Sequence, residues 1–422
     1  MTDPVHPASV ADINLFHPEA QNCPYDSYRL LRDEAPVWKD PISGAYYVTR
    51  YDLLRQMLLD TDNFASAFTR EDVAKDLGRA RRMMNLYEEK GWLPAPTLAQ
   101  MDEPRHRAVR KLFEQAFRAS KIKSLDPFTE ATTNALFDAF IEDGHCEWVR
   151  QFAVPLPLTV IMKQTGADMA DMWRIKAWTD AFARRLGLMQ SEEEERQSVE
   201  TEIEQQHYFQ PIFERLRRAP DGTLLSDLVN TEIPELGRTL SDQELHAEMS
   251  ADTFVGGSET TTNALAAGVR LLLDHPQVWA RLKSDPEKYL RGFVEEVLRL
   301  ESPVQSLFRR AARDVEFGGV AIPKGAIIFP RYGAANRDER HFENPDELDL
   351  DRANAATHLA FGSGSHHCLG APLARRELYF GFKVLVERIE DFWAAEGRND
   401  YRHLPNVCLR SLQALHIEFK RR

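Results

Sequence analysis

The segment that most constrains this chain is residues 361–370, FGSGSHHCLG, where Gly362, Gly364 and Gly370 surround a single cysteine, Cys368. Glycine opens backbone conformations closed to other residues and lets the main chain approach a flat ligand closely. The sulfur is followed by LGAPLARREL, a helix-prone run with Pro372 near its start. Cys368 is therefore expected just ahead of a helix N-terminus, where amides and the helix dipole favour a thiolate. On these residues alone three readings stand: an inert buried thiol, as most lone cysteines are, a zinc site drawing on His358, His366 and His367, or a metal-thiolate loop. Zinc is the weakest, because adjacent side chains rarely all reach one tetrahedral ion and no CxxC partner is present.

Around that loop the chain is written mostly in helical periods. Residues 37–48, VWKDPISGAYYV, hold two β-prone runs about a Pro- and Gly-containing turn and predict a hairpin, and RYDLLRQMLLDTDNF after it predicts a helix. Residues 69–100 read as a long irregular region, of a kind that often serves as a lid. Asp102, Glu103 and Pro104 open a basic helix, RHRAVRKLFEQAF, whose His106 and Arg110 share a face. Residues 117–238 alternate helices with short breaks, and SEEEERQSVETEIEQQ, from Ser191, reads as a solvated acidic face.

Ser241 and Glu244 have capping-box spacing and start a long helix that runs to His275 and Pro276. Its middle, VGGSETTTNAL, places two glycines, an acid and three threonines in a core-crossing helix, although each glycine costs about 1 kcal/mol against alanine. Gly256 and Gly257 remove bulk there, while Glu259 and Thr260 bring proton-bearing groups. SDPEKYLRGFVEEVLRLESP is a further helix with Glu296 and Arg299 three apart, β-prone runs at 315–317, 320–322 and 326–329 predict a small sheet, and Ala374, Leu378, Phe382, Leu385 and Ile389 mark a core stripe. The expected fold is predominantly α with a smaller β-rich region, the β-rich parts falling near 35–50 and 304–330.

With 422 residues, 43% of them hydrophobic, the chain can bury an extensive core. Its net charge of -13 speaks against nucleic acid as a partner, since phosphate binding relies on clustered Lys and Arg. No basic and apolar leader opens the chain and no run of about eighteen apolar residues occurs in it. Four cysteines in so long a chain form no disulfide framework. The expectation is a cytoplasmic protein without membrane contact.

Phe361, Gly364, His366, Cys368 and Gly370 fit F-x-x-G-x-[RH]-x-C-x-G position for position, and here the chain resembles the cytochrome P-450 family, in which that cysteine is the thiolate ligand of heme iron. MDEPRHRAVRKL resembles the family's helix after the substrate-access loop, VGGSETT its distal oxygen-activation helix, [AG]-G-x-[DE]-T-[TS], and Glu296 with Arg299 its buried E-x-x-R pair. The resemblance covers almost the whole chain in the family's order. It implies a triangular, two-lobed single domain over residues 1–422 that binds heme b, with Cys368 on the iron and Gly256, Phe361 and Gly370 around the cofactor. His106, Arg110, Arg309 and His366 would hold the propionates, Arg310 being the neighbouring choice for Arg309. Thr260 would hydrogen-bond the oxygen being activated, and Glu259 would gate its proton relay.

The implied activity is monooxygenation of a hydrophobic organic molecule by O2, as hydroxylation or O-dealkylation. Electrons would come from NAD(P)H through a reductase and a ferredoxin, and Arg107, Lys111, Arg375 and Arg376 would offer that acidic donor a basic patch. A peroxide-driven peroxygenase and a non-catalytic heme sensor or carrier are the alternatives. Residues 69–100, the distal helix before Gly256, residues 304–307 and the stretch around Cys408 and Leu409 would line the substrate pocket, with Arg79, Arg81 and Arg82 as candidates for a substrate carboxylate.

Overall fold

The computed structural model describes residues 4–68 and 76–422. Helices dominate, and the β-structure gathers where expected but joins differently. Val37–Lys39 and Tyr46–Val48 form the predicted hairpin, Val37 opposite Val48. The second hairpin strand then runs parallel to Ile327–Pro330, which pairs with Arg309–Ala311, and that strand with Phe64–Ala65, giving one five-stranded sheet. The three runs at 315–329 do not form a sheet of their own. Val315–Phe317 and Val320–Ile322 make a two-stranded ribbon, and the turn through Pro323 and Gly325, at φ +85°, sends the third run into the larger sheet. This sheet fixes the position of Arg309.

The long central helix starts at the predicted capping box, with Ser241 Oγ accepting from the Glu244 amide and the Glu244 carboxylate accepting from the Ser241 amide. It runs through Asp242–Glu248 and Thr260–Asp274 and stops at His275. Between them, Met249–Glu259 is a π-helix rather than the regular α-helix expected. Such widened turns recur at functional sites. Gly257 is dictated by packing: a Cβ there would lie 3.2 Å from the Ile161 side chain on the Pro155–Thr165 helix. Farther along, Gly268 receives the ring of Phe382, which would be 2.3 Å from an added Cβ. Phe382 belongs to Ala371–Arg388, the helix after Cys368, whose Leu378, Phe382 and Leu385 are fully buried as predicted. The helix of the Glu-Thr pair and the helix of the cysteine loop are thus packed directly together.

Two expectations for the charged surface are corrected. Within residues 69–100, positions 69–75 lie outside the described residues, but Leu77–Lys90 is a 14-residue helix capped by Asp76 and not an irregular region. Its charges are organised by the acidic run: Arg79 pairs with Glu195 and Arg82 with Glu192, both on the Glu192–Arg218 helix. That run is accordingly only partly a solvated face. Glu202 is buried, accepting from Tyr87 Oη at 2.6 Å and from Arg185, and Gln205 and Gln206 are buried beside it.

Candidate functional site

The cysteine loop is built by backbone geometry. The Cys368 amide donates to the Phe361 carbonyl at 2.9 Å, closing the loop, and Gly364–His366 forms a 3-10 turn inside it. Gly364 sits at φ +72°, and a Cβ there would lie 2.9 Å from the Leu58 carbonyl, so both conformation and contact require glycine. Gly370 is conventional at φ -76° and caps the Ala371–Arg388 helix, so the sulfur stands just before a helix N-terminus as predicted. Cys368 is deep in the protein yet open to an internal cleft. Burial raises its thiol pKa, the Gly370 and Ala371 amides and the Arg110 charge pull it down, and the Asp252 carboxylate adds to the rise.

Beside the sulfur the predicted cationic residues meet. The His106 and His366 rings are 4.0 Å apart, and His366 Nε2 shares a 3.0 Å hydrogen bond with Ser66 Oγ. Arg110 donates to the His367 carbonyl at 2.9 Å, and Arg309 to the Phe308 carbonyl at 2.8 Å. Burial, with the charges of Arg309, His106 and Arg110, pushes the His366 pKa down to about 3. Arg309 is the buried member of its pair; Arg310 bonds the Ala67 carbonyl instead. The positive charge at the centre of the cluster is that of Arg110 and Arg309, burial holding the His366 and His106 rings toward their neutral form, and the carboxylates near it are Glu103 and Asp102 beside His106 and Glu114 beside Arg110. His106 is buried, and its Nε2 has no hydrogen-bond partner among the described residues. An anionic group seated here would meet both deficits, which fits the carboxylates of a heme. Ser66 was not foreseen, being 300 residues from His366 in sequence.

Across the cleft stands the π-helical segment. Gly256 is exposed and Thr260 part-exposed within a helix that is otherwise largely buried, and Thr260 Oγ1 donates to the Gly256 carbonyl at 3.0 Å. An added Cβ at Gly256 would meet only the Ala251 carbonyl, at 3.6 Å, so its missing side chain leaves open space rather than a packing contact. Glu259 is buried and turned the other way, its Oε1 accepting from Lys176 Nζ at 2.9 Å and Thr179 Oγ1 at 2.7 Å on the Met172–Leu186 helix. Lys176 also pairs with Asp180, and the two carboxylates hold its pKa up against burial. Sequence reasoning missed Lys176 and Thr179. The available signal was a lone lysine within the apolar pattern MWRIKAWTDAF.

The E-x-x-R pair is fully buried. Arg299 makes a two-pronged contact with Glu296 at 2.6 and 2.9 Å, and donates to the carbonyls of Asn336, Pro345 and Glu347. Arg352 and the Asp349 amide bind the same glutamate. Val304 bridges Leu409 beside the buried Cys408, joining two predicted pocket stretches. The expected basic patch is mostly neutralised: Arg375 pairs with Glu295, Arg376 with Asp126 and Lys111 with Glu235, and Arg107, with only a 3.8 Å contact to Glu103, is its most exposed member. Arg79 and Arg82 are likewise engaged by glutamates. Among the described residues no helix is long and apolar enough to cross a membrane.

Helices stacked behind a cysteine loop, a glycine-opened helix facing the sulfur, and a cationic nest between them define a heme-binding oxidoreductase. The chain belongs to the cytochrome P-450 family: the family model for cytochrome P-450 matches residues 175–392. It is similar to cytochrome P-450 107B1 of Saccharopolyspora erythraea, 33% identical over 418 residues, 97% of this chain and 98% of that one. It is 32% identical to the polyketide biosynthesis cytochrome P-450 PksS of Bacillus subtilis, covering 96% and 99%. The fold matches that of cytochrome P-450 CREJ in complex with (4-ethylphenyl) dihydrogen phosphate, with a TM-score of 0.87, 26% identity and 99% of each chain covered. The cofactor of the family is heme b, and the activity class is monooxygenase.

Proposed function

We propose that the chain, acting as one two-lobed domain in the cytoplasm, inserts one oxygen atom of O2 into a hydrophobic organic substrate by hydroxylation or O-dealkylation. NAD(P)H-derived electrons reach it through a reductase and a ferredoxin. The observation that carries the proposal is Thr260, part-exposed one turn beyond the exposed Gly256 and directly preceded in the helix by a Glu259 tied to Lys176 and Thr179. When bound, heme b supplies the redox-active iron at which O2 is reduced.

The chain's own residues divide the remaining work. Cys368 offers its sulfur to the iron, with the amides ahead of Ala371–Arg388 moderating its charge. His106, Arg110, Arg309 and His366 receive the two carboxylates of the macrocycle by charge-assisted hydrogen bonds. Gly256, Phe361 and Gly370 leave room for a flat ring. Thr260 spends its own proton on the Gly256 carbonyl, so its oxygen lone pairs face the cleft and can hold a water there. Glu259 delivers protons only after leaving Lys176 and Thr179, which couples proton supply to movement of Met172–Leu186.

The test is turnover with a ferredoxin, its reductase and 18O2, scored across a panel of steroids, terpenoids, fatty acids and aromatic acids. One labelled oxygen per product is expected. For Thr260→Ala, NAD(P)H consumption should continue with peroxide released in place of product, and tightly coupled turnover would refute the role of Thr260. Product formed from added peroxide but not from NAD(P)H would make the protein a peroxygenase. Absence of substrate-dependent NAD(P)H oxidation would make it a carrier.

A further inference from the structure

We infer that Ser66 is a positioning residue for the cofactor: its hydroxyl fixes the His366 imidazole so that the opposite ring nitrogen offers an N–H to a heme carboxylate. This rests on the heme-binding reading above and adds to it a residue that lies outside the cysteine loop and its signature. Ser66 is itself held in place from two sides. It directly follows the strand Phe64–Ala65, which pairs with Arg309–Ala311. Its amide donates to Asp102 Oδ1 at 2.7 Å, and the next amide, that of Ala67, donates to Asp102 Oδ2 at 3.3 Å. One carboxylate at the head of the Arg105–Ala116 helix thus grips two successive peptide units, and Arg310 donates to the Ala67 carbonyl at 3.1 Å. The backbone of Ser66 is fully committed, and the residue is 2% exposed.

The hydroxyl has one partner among the described residues, His366 Nε2 at 3.0 Å. The turn at Gly364–His366 and the His106 ring, 4.0 Å away, set where the imidazole lies. Packing of that kind does not decide which nitrogen carries the proton. A neutral imidazole has one N–H and one lone pair, and the partner of one nitrogen dictates the role of the other. With the Ser66 hydroxyl donating to Nε2, the proton stays on Nδ1, which has no partner among the described residues. The opposite tautomer would turn a lone pair toward the anion that Arg110, Arg309 and His106 are gathered to receive. A doubly protonated ring offers the same Nδ1–H, with the Ser66 oxygen now accepting from Nε2. A hydroxyl can play either part, so the arrangement serves in both protonation states. A methyl group in its place would leave Nε2 unpartnered and the tautomer unfixed.

The test is a double-mutant cycle on the heme-loaded protein, reading heme release to excess apomyoglobin, the reduction potential and the propionate bending bands in resonance Raman. Ser66→Ala removes one oxygen and leaves the backbone bonds to Asp102. It should speed heme release about tenfold, the loss expected for a hydrogen bond to a charged group. It should also shift a propionate band and lower the potential, because a carboxylate without its donor favours the more positive ferric iron. Arginine, which the signature admits at position 366, carries N–H groups on every nitrogen and has no tautomer to fix. In the His366→Arg background Ser66→Ala should therefore change release by less than about twofold. Wild-type release with unmoved propionate bands in Ser66→Ala would overturn the inference. An equal effect of Ser66→Ala in both backgrounds would overturn it as well, and reduce Ser66 to a packing residue. The reduced carbon monoxide spectrum of the wild type separates the two layers: absence of the red-shifted band refutes the reading beneath, while an intact band with either of those results refutes only the role of Ser66.

Discussion

Replacing Arg299 by alanine tests how the floor of the cysteine loop is held. The guanidinium is fully buried and makes five hydrogen bonds, two to Glu296 and one each to the carbonyls of Asn336, Pro345 and Glu347. Not all of these partners would be orphaned. Arg352 still reaches Glu296 and the Glu347 carbonyl, and the Asp349 amide still donates to Glu296. Breaking a buried pair costs about 3–5 kcal/mol, and the remaining contacts place this one near the lower figure. The Asn336 and Pro345 carbonyls each lose this donor, adding roughly 1 kcal/mol apiece. The expected loss is thus about 5 kcal/mol, comparable with the whole stability of many domains. Urea unfolding followed by circular dichroism, with heme release followed in parallel, would measure it, and Arg299→Lys should recover only part because lysine lacks the planar fork. A loss below about 1 kcal/mol for the alanine variant would refute the reasoning.

Glu377, on Ala371–Arg388, is buried, and burial pushes its carboxyl up to about 8 from an ordinary value of 4.5, with the Thr261 hydroxyl opposing. The folded state therefore holds a proton that the unfolded chain has lost between those values, so stability falls as pH rises from about 4.5 to about 8, by at most about 5 kcal/mol. Glu377→Gln should flatten this slope in unfolding midpoints compared at pH 5 and 8.5, and an unchanged slope would count against it. On the loop face, Arg107→Glu should slow electron transfer from an acidic ferredoxin in stopped-flow reduction, most strongly at low salt, because Arg107 is exposed. Arg376→Glu should instead lower the melting temperature, since it sets two carboxylates together where Arg376 now binds Asp126.

What the sequence made legible follows from distance along the chain. The cysteine loop, the Ser241–Glu244 capping box and the Glu296–Arg299 pair each lie within about ten residues, so local spacing already encodes their geometry. Contacts between remote segments carry no such signal. Glu259 meets Lys176 across 83 positions, and Tyr46 faces Ile328 in the sheet. The π-helical segment was hidden for another reason: it is a pattern of backbone bonding, which the types of side chain along it do not encode. Charge misled where it was complementary. Arg79 and Arg82 read as candidates for a substrate carboxylate and the acidic run from Ser191 as a solvated face, because only the folded chain shows that they answer one another.

The central claim is that Cys368 presents a thiolate to heme iron, and the optical spectrum of the reduced, carbon monoxide-bound protein tests it most directly. The wild type should show the red-shifted band of a thiolate-ligated heme. Cys368→Ala should abolish that band, with heme binding followed separately by pyridine extraction. Persistence of the band in the alanine variant would contradict the assignment of the ligand and, with it, the organisation of the site.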